Sequence, residues 1–320
     1  MSEEKKSKQE LEKEAIKDYL AGFLNLEKRF PLLPGARSTE HVANFIGLSK
    51  QELVDARITL DEQAEQAAQE LLKDEQIQKY ITRLPFKRGD KLVVIGDSIS
   101  DDLQGWFEIL RHLLETGRPD LELEFSNAAV EGDTSFDALR RLNRSVIHAA
   151  ADWVFVALGS YDAMRLHPLP DRTHVSLTEF WENMNAIEAV ISETTKNPPV
   201  WITPPPVMTE LMQKIALFDG FVHNEDLMQY REVTSGRKGY VIDPKGVRMG
   251  QPPEAWNYLA DGFNCSLAGH VSTTQTLLKT LYQRKSIKSS DLEYGKEADF
   301  LEQYGFEVEE DDSHQHDDDE

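Results

Sequence analysis

VVIGDSIS, residues 93–100, decides how the rest of the chain is read. Val93, Val94 and Ile95 are β-branched, the composition of a buried strand. Gly96, Asp97 and Ser98 then break the apolar run, the signal of a tight turn. Two roles suit that turn. Ser98 is a nucleophile presented at a strand end, or Asp97 and Ser98 only shape the turn and cap the next helix.

Outward from this turn the pattern alternates. LVVIG (92–96) reads as a strand, and QGWFEILRHLLE (104–115) places Trp106, Ile109, Leu110 and Leu113 at helical spacing. LELEFSNAAV (121–130) alternates as a strand, and SFDALRRLNRSVIHAA (135–150) is amphipathic. WVFVALG (153–159) is a second buried run, followed by a helix over LTEFWENMNAIEAVISETT (177–195). PVWITPPP (199–206), a helix from about 222 to 235, GYVIDP (239–244) and a closing helix LAGHVSTTQTLLKTLYQ (267–283) complete the series. Strand–helix alternation of this kind predicts a five-stranded parallel sheet covered on both faces, a three-layer α/β/α sandwich. In such sheets the working site lies at the carboxyl ends of the strands. Those ends are Gly96 to Ser98, Asn127 to Gly132, Gly159 to Asp162 and Thr203-Pro204, with the Gly- and Pro-rich loop 244–266 on the same rim.

The flanks carry less chemistry. Residues 1–85 read as a helical N-terminal extension, 86–288 as the α/β domain and 289–320 as an acidic, disordered tail. The sequence 48–72 is rich in Ala, Glu, Gln and Leu and lacks Gly and Pro, which favours helix. The fragment 42–58 imitates a helix-turn-helix around Gly47, but its second helix would carry Glu52 and Asp55, which repel phosphate. A helical cap or an arm for homo-oligomerisation is the better reading. The net charge is −22, and the last thirty residues contribute fourteen acids against Lys296. A like-charge block of that kind stays solvated and disordered. His314 and His316 leave weak metal or partner binding as its sharper alternative. The charge argues against nucleic acid as a partner, because phosphate binding needs clustered Lys and Arg. Cys265 is the single cysteine, so no intrachain disulfide forms. The N-terminal stretch has no apolar core of a secretory signal, and no run is long enough to span a membrane. These features predict a soluble, cytoplasmic protein without a cofactor or metal; no P-loop, dinucleotide fingerprint or His/Cys ligand spacing is present.

Four blocks now stand at successive strand ends in order: GDSIS (96–100), FSNAAVEGDTS (125–135), LGSYDA (158–163) and DGFNCSLAGH (261–270). Together they resemble the SGNH hydrolase superfamily, the GDSL-type esterases and lipases, over residues 91 to 283. The resemblance implies a flavodoxin-like sandwich acting on a small-molecule carboxylic ester, acyl or acetyl. It implies that Ser98 is the nucleophile, that its own N–H, the Gly132 N–H and a third-block side chain form the oxyanion hole, and that the last block supplies an acid and a base. A neutral serine is a poor nucleophile, so a base must take its proton and a carboxylate must orient that base.

Two positions depart from the family's pattern. Tyr161 stands where the third block usually has the oxyanion asparagine, and Asn264 stands where the last block usually has its histidine. An amide has no usable basicity near neutral pH. Asp261 remains at the acid's position. Replacement bases are His270, His167 and His223, with helix-start packing or surface exposure as the alternative for each. Cys265 is read as a small buried residue, and Asp133 and Thr134 as the cap of the helix at 135. Asp97 fixes the turn; with Asp101 and Asp102 it forms a metal option, set against an ordinary acidic helix start. Met164, Leu166, Met208, Leu211 and Met212 suit an acyl pocket. Two functions follow: a diverged serine ester hydrolase with a non-standard base, or an inactive relative that binds a ligand or protein partner through the old cleft.

Overall fold

The structure, a computed structural model, describes residues 17, 19–212, 218, 220–244, 253–283 and 286–287. The acidic tail expected from 289 lies outside the described residues. In chain order the elements are α1 (Leu26–Arg29), α2 (Thr39–Ile46), α3 (Lys50–Leu71), α4 (Glu75–Ile81), β1 (Lys91–Gly96), α5 (Ser98–Asp101), α6 (Trp106–Gly117), β2 (Glu124–Asn127), α7 (Ser135–Leu142) and β3 (Trp153–Ala157). They continue with β4 (Arg165–Leu166), β5 (Leu169–Thr173), α8 (Leu177–Thr194), β6 (Val200–Ile202), α9 (Thr209–Met212), β7 (Gly220–Phe221), α10 (Asn224–Ser235), β8 (Gly239–Ile242), α11 (Leu267–Tyr282) and β9 (Ser286–Ile287).

Five parallel strands run in the order β2-β1-β3-β6-β8, as the alternation predicted, and β9 adds an antiparallel edge to β8. Successive residues of a strand point to opposite faces, and β1 shows the consequence. Leu92 and Val94 join Trp106, Phe107, Leu110, Phe155 and Leu277 in one core. Val93 and Ile95 join Val154, Val156, Phe180, Met184 and Trp201 in the other. A strand buried on both faces has to be apolar throughout, which is why the run 92–95 carries no polar residue.

The N-terminal helices share this fold. The second half of α3 contributes Ala64, Ala68 and Leu71, and α4 contributes Ile77 and Ile81, to the core beneath α6 and α11. The first half of α3 packs instead with α2 in a small cluster of Ala21, Val42, Ala43, Ile46 and Leu53. The helix-turn-helix imitation is real as geometry: Gly47 ends α2 in the left-handed region, and Ser49 and Glu52 form a capping box on α3. No helix among the described residues is long and apolar enough to cross a membrane.

Three features went beyond the sequence reading. The segment 135–150 is α-helical only to Leu142 and widens into a π turn over Asn143–Ile147. The ladder of β2 ends at Asn127, yet Ala128 and Val130 still donate to the carbonyls of Val94 and Gly96, carrying the second block along β1 toward Ser98. Loop 164–176 pairs with 220–221 as a three-stranded antiparallel sheet, pinned by Arg165 on Asp226 at 2.5 and 2.8 Å.

Candidate active site

Ser98 is the first residue of α5, directly after the turn that ends β1. Asp97 caps this short helix, its Oδ1 accepting from the Ile99 N–H at 3.0 Å. The bland role read for Asp97 is therefore present, and it coexists with a presented serine. Burial, above all, pushes the Asp97 carboxyl up to about 8.

The Ser98 hydroxyl donates to Asn264 Oδ1 at 2.6 Å. Asn264 Nδ2 donates in turn to Asp261 Oδ2 at 2.9 Å. Asp261 Oδ1 accepts from the N–H groups of Phe263 and Asn264, each at 2.8 Å. Serine, amide and carboxylate thus stand in one line, with the amide in the middle. The turn that makes this possible needs Gly262: its φ is +70°, and a Cβ there would lie 2.6 Å from the Met208 carbonyl oxygen. That carbonyl's own residue donates back to Gly262 O at 2.8 Å, tying α9 to the last block.

Tyr161 reaches the same point. Its hydroxyl lies 3.4 Å from Ser98 Oγ and 3.3 Å from Glu131 Oε1, both at the weak end of hydrogen bonding. Its ring packs on Phe263 at 4.9 Å between centroids. Burial pushes the phenol well up, so Tyr161 is a neutral donor and not a phenolate base. Asp162 takes a different job: it accepts from the backbone N–H and hydroxyl of Ser135, and Asn183 donates to that hydroxyl, so the third block is fastened to the start of α7. Burial pushes Asp162 up to about 7. Thr134 caps α7 as read from the sequence, whereas Asp133 pairs with Arg141 and Arg29. Gly132 has a φ of +76° and faces the Arg29 guanidinium.

The replacement bases are elsewhere. Among the described residues the hydrogen-bond partners of the Ser98 hydroxyl are Asn264 and Tyr161. His270 is fully buried at the start of α11, with Nε2 3.2 Å from Asp102 Oδ2 and Nδ1 without a partner. His167 and His223 are exposed and flank the Phe221 ring. Cys265 is buried beside Ile99 and Tyr258, and burial pushes its thiol up, away from the reactive thiolate. The three carboxylates read as a metal option diverge: Asp97 caps α5, Asp101 takes Asn25 and Lys28, and Asp102 takes His270 and the Gln104 N–H. No group of three His, Cys, Asp or Glu side chains among the described residues is placed to hold a metal. Of the acyl-pocket residues, Met164 and Met212 are buried in the second core, and Met208 packs against Ile99, Tyr258 and Cys265.

Ser98 is 0% exposed and Asn264 1%. The residues that cover this corner were missed in the sequence. Asn25 Nδ2 donates to Asp101 Oδ1 at 3.0 Å, and Lys28 pairs with the same oxygen. Arg29 donates to the Glu131 carbonyl and lies 3.5 Å from Asp133. The Tyr19 hydroxyl is buried without a hydrogen-bond partner of good geometry. Its phenol is pushed up by burial and by the nearby Glu131, with Tyr161, Asp261 and Asn264 also within reach. A crevice of about 20 Å³, enough for roughly one water, is lined by Asp97, Ile99, Trp106, Thr203, Pro204 and Thr273 among others, and Ser98 and Asn264 are not among its walls. Glu131 sits inside the second sequence block and could have been singled out there. The covering residues lie some 70 to 100 positions upstream and carry no local signal.

A serine at the strand end, facing the last block through one side chain, is the layout the four motifs implied. The family model of the GDSL-like lipase/acylhydrolases matches residues 92–286. The chain belongs to that family. An acetylxylan esterase of Geobacillus stearothermophilus is 30% identical over 115 residues, covering 31% of this chain and 52% of the relative. The chain thus spans about half the length of the curated relative it matches. Among solved structures, an α/β hydrolase from the metagenome of Lake Arreo, Spain, is 24% identical, covers 61% of this chain and 96% of its own, and superposes with a TM-score of 0.50. A catalytic mutant of an acetylxylan esterase from Geobacillus stearothermophilus is 20% identical, covers 61% and 95%, and gives 0.52. These likenesses show a shared fold across the GDSL domain.

Proposed function

We propose that this GDSL-family protein binds an acyl or acetyl ester at the Ser98 corner and does not turn it over. One observation carries the reading: the Ser98 proton points at an amide oxygen. Asn264 accepts a hydrogen bond as a base would, but it cannot accept the proton itself. Losing a triad base costs on the order of 10⁴ to 10⁶ in rate. The rest of the frame supports recognition, since Tyr161 is a neutral hydroxyl donor 3.4 Å from Ser98 Oγ. The relative's name makes acetylxylan the first ligand class to try, as soluble acetylated fragments.

The test compares wild type with Ser98→Ala on p-nitrophenyl acetate and on acetylated xylo-oligosaccharide. Equal rates at the blank, with saturable sugar binding by calorimetry, are expected. A wild-type rate more than tenfold above Ser98→Ala sinks the reading and returns the protein to the other one, a serine ester hydrolase with a non-standard base.

A further inference from the structure

The segment from Tyr19 to Arg29 has two unlike sides. Its apolar side belongs to the small N-terminal cluster: Ala21, with Leu20, Leu24 and Leu26, packs on Val42, Ala43, Ile46 and Leu53 of α2 and α3. Arg57 of α3 fastens the same side by donating to the carbonyls of Ala21 at 3.2 Å and Leu24 at 2.9 Å. Its other side faces the GDSL domain with polar groups, beside the Tyr19 and Phe23 rings, which pack at 4.6 Å between centroids. Lys28 and Asn25 meet Asp101, Arg29 meets Asp133 and the Glu131 carbonyl, and Arg144 donates to the Lys28 carbonyl at 3.0 Å. The Tyr19 hydroxyl, at the start of this segment, is buried next to Tyr161, Asn264 and Glu131.

We propose that Tyr19–Arg29 is a strap that seals the Ser98 cleft, anchored on α2 and the first half of α3 and held to the GDSL domain by polar contacts that can be loosened. The division of contacts supports this. Apolar packing, which is costly to expose, ties the strap to its own helices. Hydrogen bonds and ion pairs, which water can replace at small net cost, tie it to the cleft. Loosening it would open a path to Ser98 past Glu131 and the Tyr161 hydroxyl, while the Tyr161 ring stays packed on Phe263 in the second core. This device acts on access and goes beyond the proposal on turnover; it holds whether or not Ser98 performs chemistry.

The test reads access and not activity. In the full chain, Ser98→Cys places a thiol at the sealed position, and iodoacetamide labelling is followed peptide by peptide in a mass spectrometer. Cys265 is buried against Ile99 and Tyr258 and serves as an internal control for the fold. The strap is loosened by Tyr19→Ala with Arg29→Ala, which leaves the Lys28–Asp101 pair and the Arg141–Asp133 pair in place. At least tenfold faster labelling at position 98 in the loosened chain, with Cys265 unlabelled in both, is expected. Equal labelling at position 98 in the two chains, fast or slow, overturns the proposal. So does a parallel rise at Cys265, because the segment would then be part of the core and not a cover.

Discussion

Asn264→His asks whether the frame around Ser98 still has the geometry of a relay. Asn264 now receives the Ser98 hydroxyl at 2.6 Å on one atom and donates to Asp261 at 2.9 Å from another. An imidazole would donate from Nδ1 to Asp261 and present Nε2 to Ser98, supplying the base. That function is worth about 10⁴ to 10⁶ in rate, or roughly 5 to 8 kcal/mol of barrier. The fit is tight. Asn264 is 1% exposed and its contact to Ser98 is already short, so the longer ring must displace its neighbours. Overpacking of that kind costs about 1–3 kcal/mol, which removes one to two decades if the strain falls on the reacting geometry. The expected gain is therefore about 10²- to 10⁵-fold. The assay is release of p-nitrophenol from the acetate ester, in chains that also carry Tyr19→Ala and Arg29→Ala so that access is not limiting. Ser98→Ala and Asp261→Asn should each return the gain to the blank. A folded Asn264→His chain with an accessible position 98 and no Ser98-dependent gain would refute the idea that serine, amide and carboxylate stand in relay order.

Two further outcomes follow from the site. The Asp97 carboxyl is raised by burial from 3.8 to about 8, so the folded chain keeps a proton that the unfolded chain has already lost. Its stabilisation is full below about pH 4 and drains as pH rises toward 8, by up to about 1.4 kcal/mol per pH unit; urea melts across that range should show the decline, and Asp97→Asn should flatten it. Gly262→Ala forces an L side chain into φ +70° and against the Met208 carbonyl; a loss of about 1–3 kcal/mol from backbone strain alone is expected, and an unchanged thermal midpoint would contradict the fit.

The sheet was legible because physics writes it locally. Residues 92–95 and 153–156 had to be apolar to be buried on both faces, and α6 had to carry Trp106, Leu110 and Leu113 on one side to cover them. The corner of the site was legible for the same reason: Gly96, Gly132 and Gly262 mark backbone that other residues resist. What escaped were side-chain pairings across long separations. Nothing near His270 says that Asp102 will take its Nε2, 168 positions away. The strap was read as an extension without chemistry, because Lys28 and Arg29 acquire meaning only when Asp101 and Asp133 are brought beneath them. The short sheet of β4, β5 and β7 escaped because LHPLPDR has two prolines and no alternation.

The placement of α4 against α11 has a consequence for the order in which the molecule is made. Tyr80 and Tyr282 pack as tilted rings with centroids 4.9 Å apart, and Ile77 and Ile81 share a core with Leu277, Leu278 and Leu281. During synthesis the early helices emerge some 200 residues before the partner that completes their burial. Ile77 and Ile81 must wait on the nascent chain with their apolar face partly uncovered, the situation that chaperones exist to guard. Closing so long a loop is slow, which makes docking of the last helix the expected rate-limiting step of folding.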